Sequence, residues 1–485
     1  MMKLAKIANG ACDLPKGWGD IDIRGLTADS RAVEPGFLFA AILGEANDGG
    51  SFIPEALARG AAALLAAPGV RVDNVELPIL RDRNVRRGLA LMAARFHPRQ
   101  PDTVVAVTGT NGKTSVVSFV RQIWERMGLK AASLGTVGLV APEMTEPVAH
   151  TTPDPVALHA VLSKLAQGGV THLALEASSH GLKQCRLDGV RFAAGAFTNL
   201  SRDHLDYHAD IEDYFDAKAR LFTELLLPGA AAVVNTDTAE GVRIAKLAGQ
   251  RGLVVLTVGA RGKTIKLLHC ERKGLAQQLI LKTGRTKHEI FLPLVGDFQV
   301  SNALVAAGLA VAVGGQMTMA LRVLEYLKGA RGRLELVATS RSGAPVFIDF
   351  AHTPDALRHA LEALRPHAHR RLVVVFGCGG DRDRGKRPLM GAIAAELADV
   401  VYVTDDNPRG EDPAAIRAAI MAACPGGIEV AGRSEAIGRA VEGLQDGDVL
   451  LVAGKGHETG QIIGHDVVPY SDHEAVEAAI GRTAA

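Results

Sequence analysis

The sequence predicts a three-domain α/β protein, and three observations lead there. The chain has 485 residues, too many for one hydrophobic core when domains usually run about 100 to 200 residues. At 47% hydrophobic and 22% charged with 53 glycines, it has both apolar surface to bury and the tight turns that alternating strands and helices need. From Thr103 onward, apolar runs end repeatedly in glycine-rich or polar turns that open helical patterns. That alternation is the mark of a largely parallel sheet with helices on both faces.

Residues 1–98 form the first expected domain. The β-like runs GFLFAAIL and AAALLAA lie among Gly and Pro turns, and the helix-like RRGLALMAARF runs into the breaker HPRQP. The second domain is expected over 99–331, where TVVAVTGTNGKT, VTHLALEASSHG, AAGAFTNLSRDH and AAVVNTD each read as a strand entering a turn. A new alternating series then begins with PVFIDFAHTPDALRHALEAL, RLVVVFGCGG, VVYVTDDNPRGEDPAAIRAAI and DVLLVAGKGHE. It predicts a Rossmann-like third domain over 332–485.

A formal net charge of +1 gives no electrostatic reason to expect nucleic acid or an anionic membrane as partner. Cys12, Cys185, Cys270, Cys378 and Cys424 are scattered and include no C-x-x-C pair, so neither a disulfide framework nor a zinc site is suggested. The segment MMKLAKIANGACDLPKGW has no signal-peptide apolar core, and AAALLAAPGV is far shorter than the roughly 20 residues of a membrane span. A cytoplasmic protein is expected, and it is read as a monomer.

Gly109, Thr110, Asn111, Gly112, Lys113 and Thr114 follow a buried-looking strand and precede the helix-like VVSFVRQIWERMG. In that setting backbone N–H groups and the helix N-terminus cradle an anion, Lys113 adds a point charge, and the Thr114 hydroxyl can ligate magnesium. A triphosphate is the expected guest. The usual G-x-x-x-x-G-K-[ST] spacing would put glycine at 107, where this chain has Val107; a glycine-rich turn with an exposed lysine is the plainer alternative. Glu176 ends the apolar LALE and suits either a magnesium ligand or a helix cap. His204 stands among Asp203, Asp206 and His208, consistent with a metal site and equally with a solvated loop. No N-K-x-D guanine-reading motif follows.

Taken in order, GTNGKT, EASSHG, TNLSRDHLDYH, DFAHTPDAL, GGDRDRGKRPLM, DDNPRGEDP and AGKGHE resemble the Mur ligase family over nearly the whole chain. Within it they resemble most the branch that adds meso-diaminopimelate to UDP-N-acetylmuramoyl-L-alanyl-D-glutamate, with ATP and Mg2+. The resemblance implies an N-terminal uridine-binding domain, a central P-loop ATPase-like domain and a C-terminal domain that brings the amino acid. The Gly109–Thr114 loop would hold the ATP phosphates, with Asn302, Arg333, Asp349 and His352 near the nucleotide. Thr114, Glu176 and His204 would serve magnesium. Lys218, in DIEDYFDAKARLF, matches a lysine that the family carbamylates, turning an amine into an anionic metal ligand. Ser30, Thr151, Thr152, Ser178, Gln184 and Arg186 match positions that meet the UDP-muramoyl dipeptide. Arg382, Asp406, Asn407, Pro408, Arg409, Gly454 and Glu458 match the diaminopimelate site. Phe350 stands where the family usually has Tyr, and Glu45 and Ala46 replace the usual His and Gln of the uracil loop. A sibling ligase, a small-molecule P-loop kinase and a nucleotide-dependent binding protein are the other readings.

Overall fold

The computed structural model describes residues 1–44, 48–72, 76–201, 203 and 207–484, without the side chains of 482–484. His204, Asp206, Glu45 and Ala46, named above, lie outside the described residues. The chain divides into two compact units: one of residues 1–267, 282–286 and 302–321, the other of 268–281, 287–301 and 322–485.

The first unit holds two parallel sheets. The smaller runs Gly25–Thr27, Phe37–Ala41, Ala63–Ala66, Ile79–Arg81 in spatial order, all parallel. The larger follows the order Ala131–Gly135, His172–Glu176, Thr103–Thr108, Ala194–Phe197, Ala231–Asn235, Val254–Gly259. These six strands are parallel. Gly138–Ala141 and Met144–Glu146 extend the sheet antiparallel at the Ala131–Gly135 edge.

Val104, Val105, Ala106 and Val107 are all fully buried, because helices cover both faces and every strand residue must be apolar. The departure at Val107 is thereby explained. It lies inside a strand, paired with Glu176 on one side and Ala196 on the other, while Gly109 makes the turn two residues later with φ of 148°.

Helix starts are set by side-chain caps. Asp154 accepts from the backbone N–H groups of Val156 and Ala157 ahead of Pro155–Gln167, and Asp210 accepts from those of Glu212 and Asp213 ahead of Ile211–Arg220. Each such cap contributes about 1 kcal/mol. Helix Val85–Phe96 packs beside Pro155–Gln167. A side chain at Gly189 would come within 2.6 Å of Ala94 Cβ, so glycine there lets the two layers approach.

In the second unit a six-stranded sheet runs Glu335–Thr339, Pro345–Asp349, Val449–Ala453, Leu372–Phe376, Val400–Val403, Ile428–Glu429. All neighbours are parallel except the first pair. Apolar clusters fill both faces, Phe347, Phe376 and Leu451 on one and Val346, Val375 and Leu450 on the other. Doubly wound sheets of this kind open their ligand crevices at the carboxyl ends of the strands.

Candidate active site

In the first unit three segments lie at the carboxyl ends of three adjacent parallel strands: Gly109–Thr114 after the first, Glu176–Ser178 after the second and Thr198–Ser201 after the third. Helix Lys113–Arg126 begins inside the loop, with Gly112 at φ of 87° as its cap. A side chain at Gly109 would collide with Thr198 Oγ1, and one at Gly112 with Asn302 Oδ1. The loop is laced to the neighbouring strand end: Thr110 N donates to Asn199 O at 2.9 Å, Asn111 N to Asn199 Oδ1 at 3.0 Å, and Thr198 Oγ1 to Asn111 O at 2.7 Å. Sequence reading did not single out Asn199 or Thr198, although both lie in the quoted phrase TNLSRDH.

Two lysines meet at one carbonyl of this loop. Lys113 Nζ donates to Gly109 O at 2.9 Å and to Thr110 O at 2.8 Å. Lys218 Nζ reaches the same Gly109 O at 2.8 Å from helix Ile211–Arg220. Lys218 is only 1% exposed, and its nitrogen lies 4.1 Å from the centre of the Tyr214 ring. Burial first, and then repulsion from Lys113, push its pKa well below the ordinary lysine range, with Asp203 opposing. Both causes make the proton easier to lose than on an exposed lysine.

Glu176 is almost fully buried. Its carboxylate accepts from Thr136 N at 2.8 Å and from Thr136 Oγ1 at 3.1 Å. From it a chain of contacts gathers five residues expected at the dipeptide substrate. Thr151 Oγ1 meets Thr136 Oγ1 at 3.0 Å, Thr152 Oγ1 donates to Glu176 O at 2.8 Å, and Ser178 Oγ donates to Thr152 Oγ1 at 3.0 Å. Arg186 Nη1 donates to Thr152 O at 2.7 Å, and Arg186 Nη2 to Gln184 Oε1 at 2.8 Å. Ser30 belongs instead to the smaller sheet's layer, where its hydroxyl donates to Glu55 Oε2 at 2.6 Å. His208 is buried, with Nδ1 3.0 Å from Asp213 Oδ2.

The second unit brings its own expected residues into two groups. Around Phe350, the Arg333 guanidinium carbon stands 4.8 Å from the ring centre, and the His352 and His457 rings lie 4.5 and 5.1 Å from it. Asp349 accepts from Leu334 N and Ala351 N, each at 2.7 Å. Burial raises its pKa, and Arg333 opposes the shift. Arg333 Nε is buried without a hydrogen-bond partner among the described residues, a donor that a ligand acceptor would satisfy.

The second group is the turn Asp406–Arg409. Asn407 and Arg409 adopt φ of 47° and 52°, rare for side chains other than glycine, and Pro408 separates them. Asn407 is pinned at both ends of its amide, donating to Glu458 Oε2 at 2.8 Å and accepting from Lys455 Nζ and Ile462 N, each at 2.9 Å. Arg409 Nη1 donates to Gly380 O at 3.1 Å. A side chain at Gly454 would strike Asp406 Oδ2. Arg382 is exposed, its Nη1 3.3 Å from Asp381 O.

Sequence reading missed Lys455. It is fully buried, and its ammonium touches Asn407, lies 3.4 Å from both Asp406 and Glu458, and donates to Gly460 O at 2.7 Å. The only signal was its place inside AGKGHE.

Comparison with known proteins adds three family matches: residues 22–97 to the Mur ligase family catalytic domain, 107–310 to the Mur ligase middle domain, and 332–456 to the Mur ligase glutamate ligase domain. The chain is 53% identical over 493 residues to the UDP-N-acetylmuramoyl-L-alanyl-D-glutamate–2,6-diaminopimelate ligase of Bradyrhizobium diazoefficiens, covering 100% of both chains. It is 46% identical to the ligase of the same name from Zymomonas mobilis, covering 99% of each. A solved structure of a ligase of that name superposes with a TM-score of 0.74 at 32% identity, over 100% of this chain and 99% of that one. The Thermotoga maritima MurF ligase in complex with ADP shares the fold, with a TM-score of 0.62 at 18% identity over 96% and 98% of the two chains.

Proposed function

Because this chain belongs to the Mur ligase family, we propose that it joins meso-diaminopimelate to UDP-N-acetylmuramoyl-L-alanyl-D-glutamate, cleaving ATP to ADP and phosphate, in peptidoglycan precursor synthesis. The observation that carries this reading is the convergence of Lys113 and Lys218 on the Gly109 carbonyl. A lysine whose proton is easier to lose, standing at such a loop, can add carbon dioxide with release of a proton and become a carboxylate equivalent. We read the domains as 1–98 for the uridine end, 99–331 for ATP and 332–485 for the amino acid, supported by the spans of the three family matches. A cytoplasmic monomer is proposed. Among the described residues no helix is long and apolar enough to cross a membrane.

Amide formation needs an activated carboxyl group. A carboxylate oxygen of the D-glutamate side chain attacks the γ-phosphorus, the bond to the β–γ bridging oxygen breaks, and ADP leaves. The deprotonated amine then attacks the acyl carbon, and the tetrahedral adduct collapses with loss of inorganic phosphate and a proton. Lys113 and the N–H groups opening helix Lys113–Arg126 hold the transferring phosphoryl group. Thr151, Thr152, Ser178, Gln184 and Arg186 orient the dipeptide, and Asn302, beside Gly112 of the loop, contacts the nucleotide; for Arg333, Asp349 and His352 a nucleotide role is what the family resemblance implies.

Magnesium is the metal that this reading implies. Among the described residues no three His, Cys, Asp or Glu side chains converge as a ready-made cage. Magnesium commonly takes one or two carboxylates plus substrate phosphates, and Thr114, Glu176, His204 and carbamylated Lys218 would hold it here. When bound, the ion offsets the repulsion between carboxylate and triphosphate.

Phosphate release is expected only when ATP, magnesium, the UDP-muramoyl dipeptide and meso-diaminopimelate are all present, which omission of each in turn will test. Substantial ATPase without the dipeptide, or a stable phosphorylated product, would point to a different P-loop enzyme. In the same assay Lys113→Ala is expected to lower turnover by roughly a hundredfold or more, the usual effect of removing a group that stabilises transition-state charge.

A further inference from the structure

Helix Ile211–Arg220 is gripped from two sides. Lys218 and Arg220 are two residues apart, about 200° around a helix of 3.6 residues per turn, so they leave it in nearly opposite directions. Lys218 ends at Gly109 O. Arg220 ends on Asp188 in a two-pronged pair, Nη1 to Oδ2 at 2.8 Å and Nη2 to Oδ1 at 2.7 Å, and Nη1 also donates to Leu182 O at 2.8 Å. With side chains 4% and 13% exposed, Asp188 and Arg220 stand largely out of water.

Two features make the back of the helix the place that sets its front. Immediately after Arg220 the chain changes pitch, Leu221–Leu225 forming a π turn. Such turns are rare and cluster at functional sites. Asp188 is also a fixed point. His159 Nε2 lies 3.1 Å from its carbonyl, Arg87 Nε lies 3.3 Å from its carboxylate, and Gly189 beside it packs on Ala94 and Ala90. Helices from both layers of the unit therefore meet at this residue.

We propose that the Asp188–Arg220 pair is the positioning element for Lys218, fixing the rotation and height of its helix so that the lysine nitrogen stays at the phosphate loop. The proposal rests on the reading of Lys218 as a carbamate. A buried ion pair is a poor device for stability alone, since apolar residues of similar volume often serve as well or better. What the two-pronged contact supplies is direction.

The test uses Asp188→Leu/Arg220→Leu, which removes both charges together, alongside Arg220→Leu alone, which leaves the carboxylate only the exposed Arg87 and reports the cost of the broken two-pronged pair. The double variant is expected to melt within a few degrees of the parent. Its turnover number should fall by roughly tenfold to a hundredfold, the range an ångström-scale misplacement produces. The bicarbonate concentration for half-maximal activity should rise several-fold, and the carbamate resonance after 13C-bicarbonate labelling should weaken. Parental turnover and bicarbonate requirement in the double variant would reduce the pair to a fold contact. A parent enzyme without any carbamate resonance or bicarbonate dependence would overturn the Lys218 reading, and this proposal with it; a resonance equally strong in parent and double variant overturns the proposal alone.

Discussion

The Lys218→Met protein is expected to fold, to melt no lower than the parent and to lose roughly a hundredfold to a thousandfold in turnover number, the size of effect seen when one charge-stabilising group leaves an active site. Methionine fills the volume without an amine, so packing against Tyr214 survives while the nitrogen that meets Gly109 O is gone. The stability half of the prediction follows from linkage. In the folded state the amine's pKa lies well below its ordinary value, so between the two values the unfolded chain binds the extra proton. Stability then rises with pH through that window and is lost as pH falls. In carbon-dioxide-free buffer the melting temperature of Lys218→Met should therefore gain on the parent's as pH is lowered through it, a trade of stability for function. Parental turnover in Lys218→Met, or a gap that narrows as pH falls, would remove the lysine from the chemistry.

The parallel strands and their turn phrases were legible because strands buried on both faces read as unbroken apolar runs, and the turns that follow concentrate glycine and polar residues. The phosphate loop was legible for the same reason, although the sequence offered no account of Val107 until its position within the strand was known. The grouping of Thr151, Thr152, Ser178, Gln184 and Arg186 was legible only through resemblance. Thr152 and Ser178 stand 26 residues apart, and nothing in local periodicity joins them. Long-range pairs with no pattern of their own were not legible at all: Asp188 with Arg220, 32 residues apart, and Lys455 with Asn407, 48 apart. A lone lysine normally reads as a solvated side chain. Lys455 is buried because Gly460–Ile463 turns back to place the Gly460 carbonyl and the Ile462 N–H beside the Asn407 turn. The left-handed φ of Asn407 is the kind asparagine tolerates, whereas that of Arg409 had no sequence signal.

Meso-diaminopimelate is expected to outcompete L-lysine by roughly two to three orders of magnitude in kcat/KM, because a site built to pair with a charged group rejects the analogue that lacks it. The two amino acids differ only in a carboxylate beside the distal ammonium, so the discriminating contact must be made to that anion. Arg409 presents a planar fork suited to both its oxygens. The arginine is aimed by its own backbone: Arg409 N donates to Ile462 O at 3.1 Å, Gly464 N donates to Arg409 O at 2.8 Å, and Nη1 rests on Gly380 O. Glu458, held by Asn407 Nδ2 at 2.8 Å, would on this reading balance the distal ammonium, which both amino acids carry. Arg409 is half-buried and already donates to carbonyls, so lysine does not strand a bare guanidinium in an apolar pocket. The penalty belongs at about 3 to 4 kcal/mol, the loss of the two charge-assisted hydrogen bonds of the fork. Arg409→Ala should remove most of the preference by weakening diaminopimelate while leaving the KM for ATP near its parental value. Arg409→Lys should recover only part of it, since an ammonium keeps the charge and loses the fork. Near-equal specificity constants for the two amino acids in the unsubstituted enzyme would refute the role given to Arg409 and leave the ligase chemistry at the phosphate loop untouched.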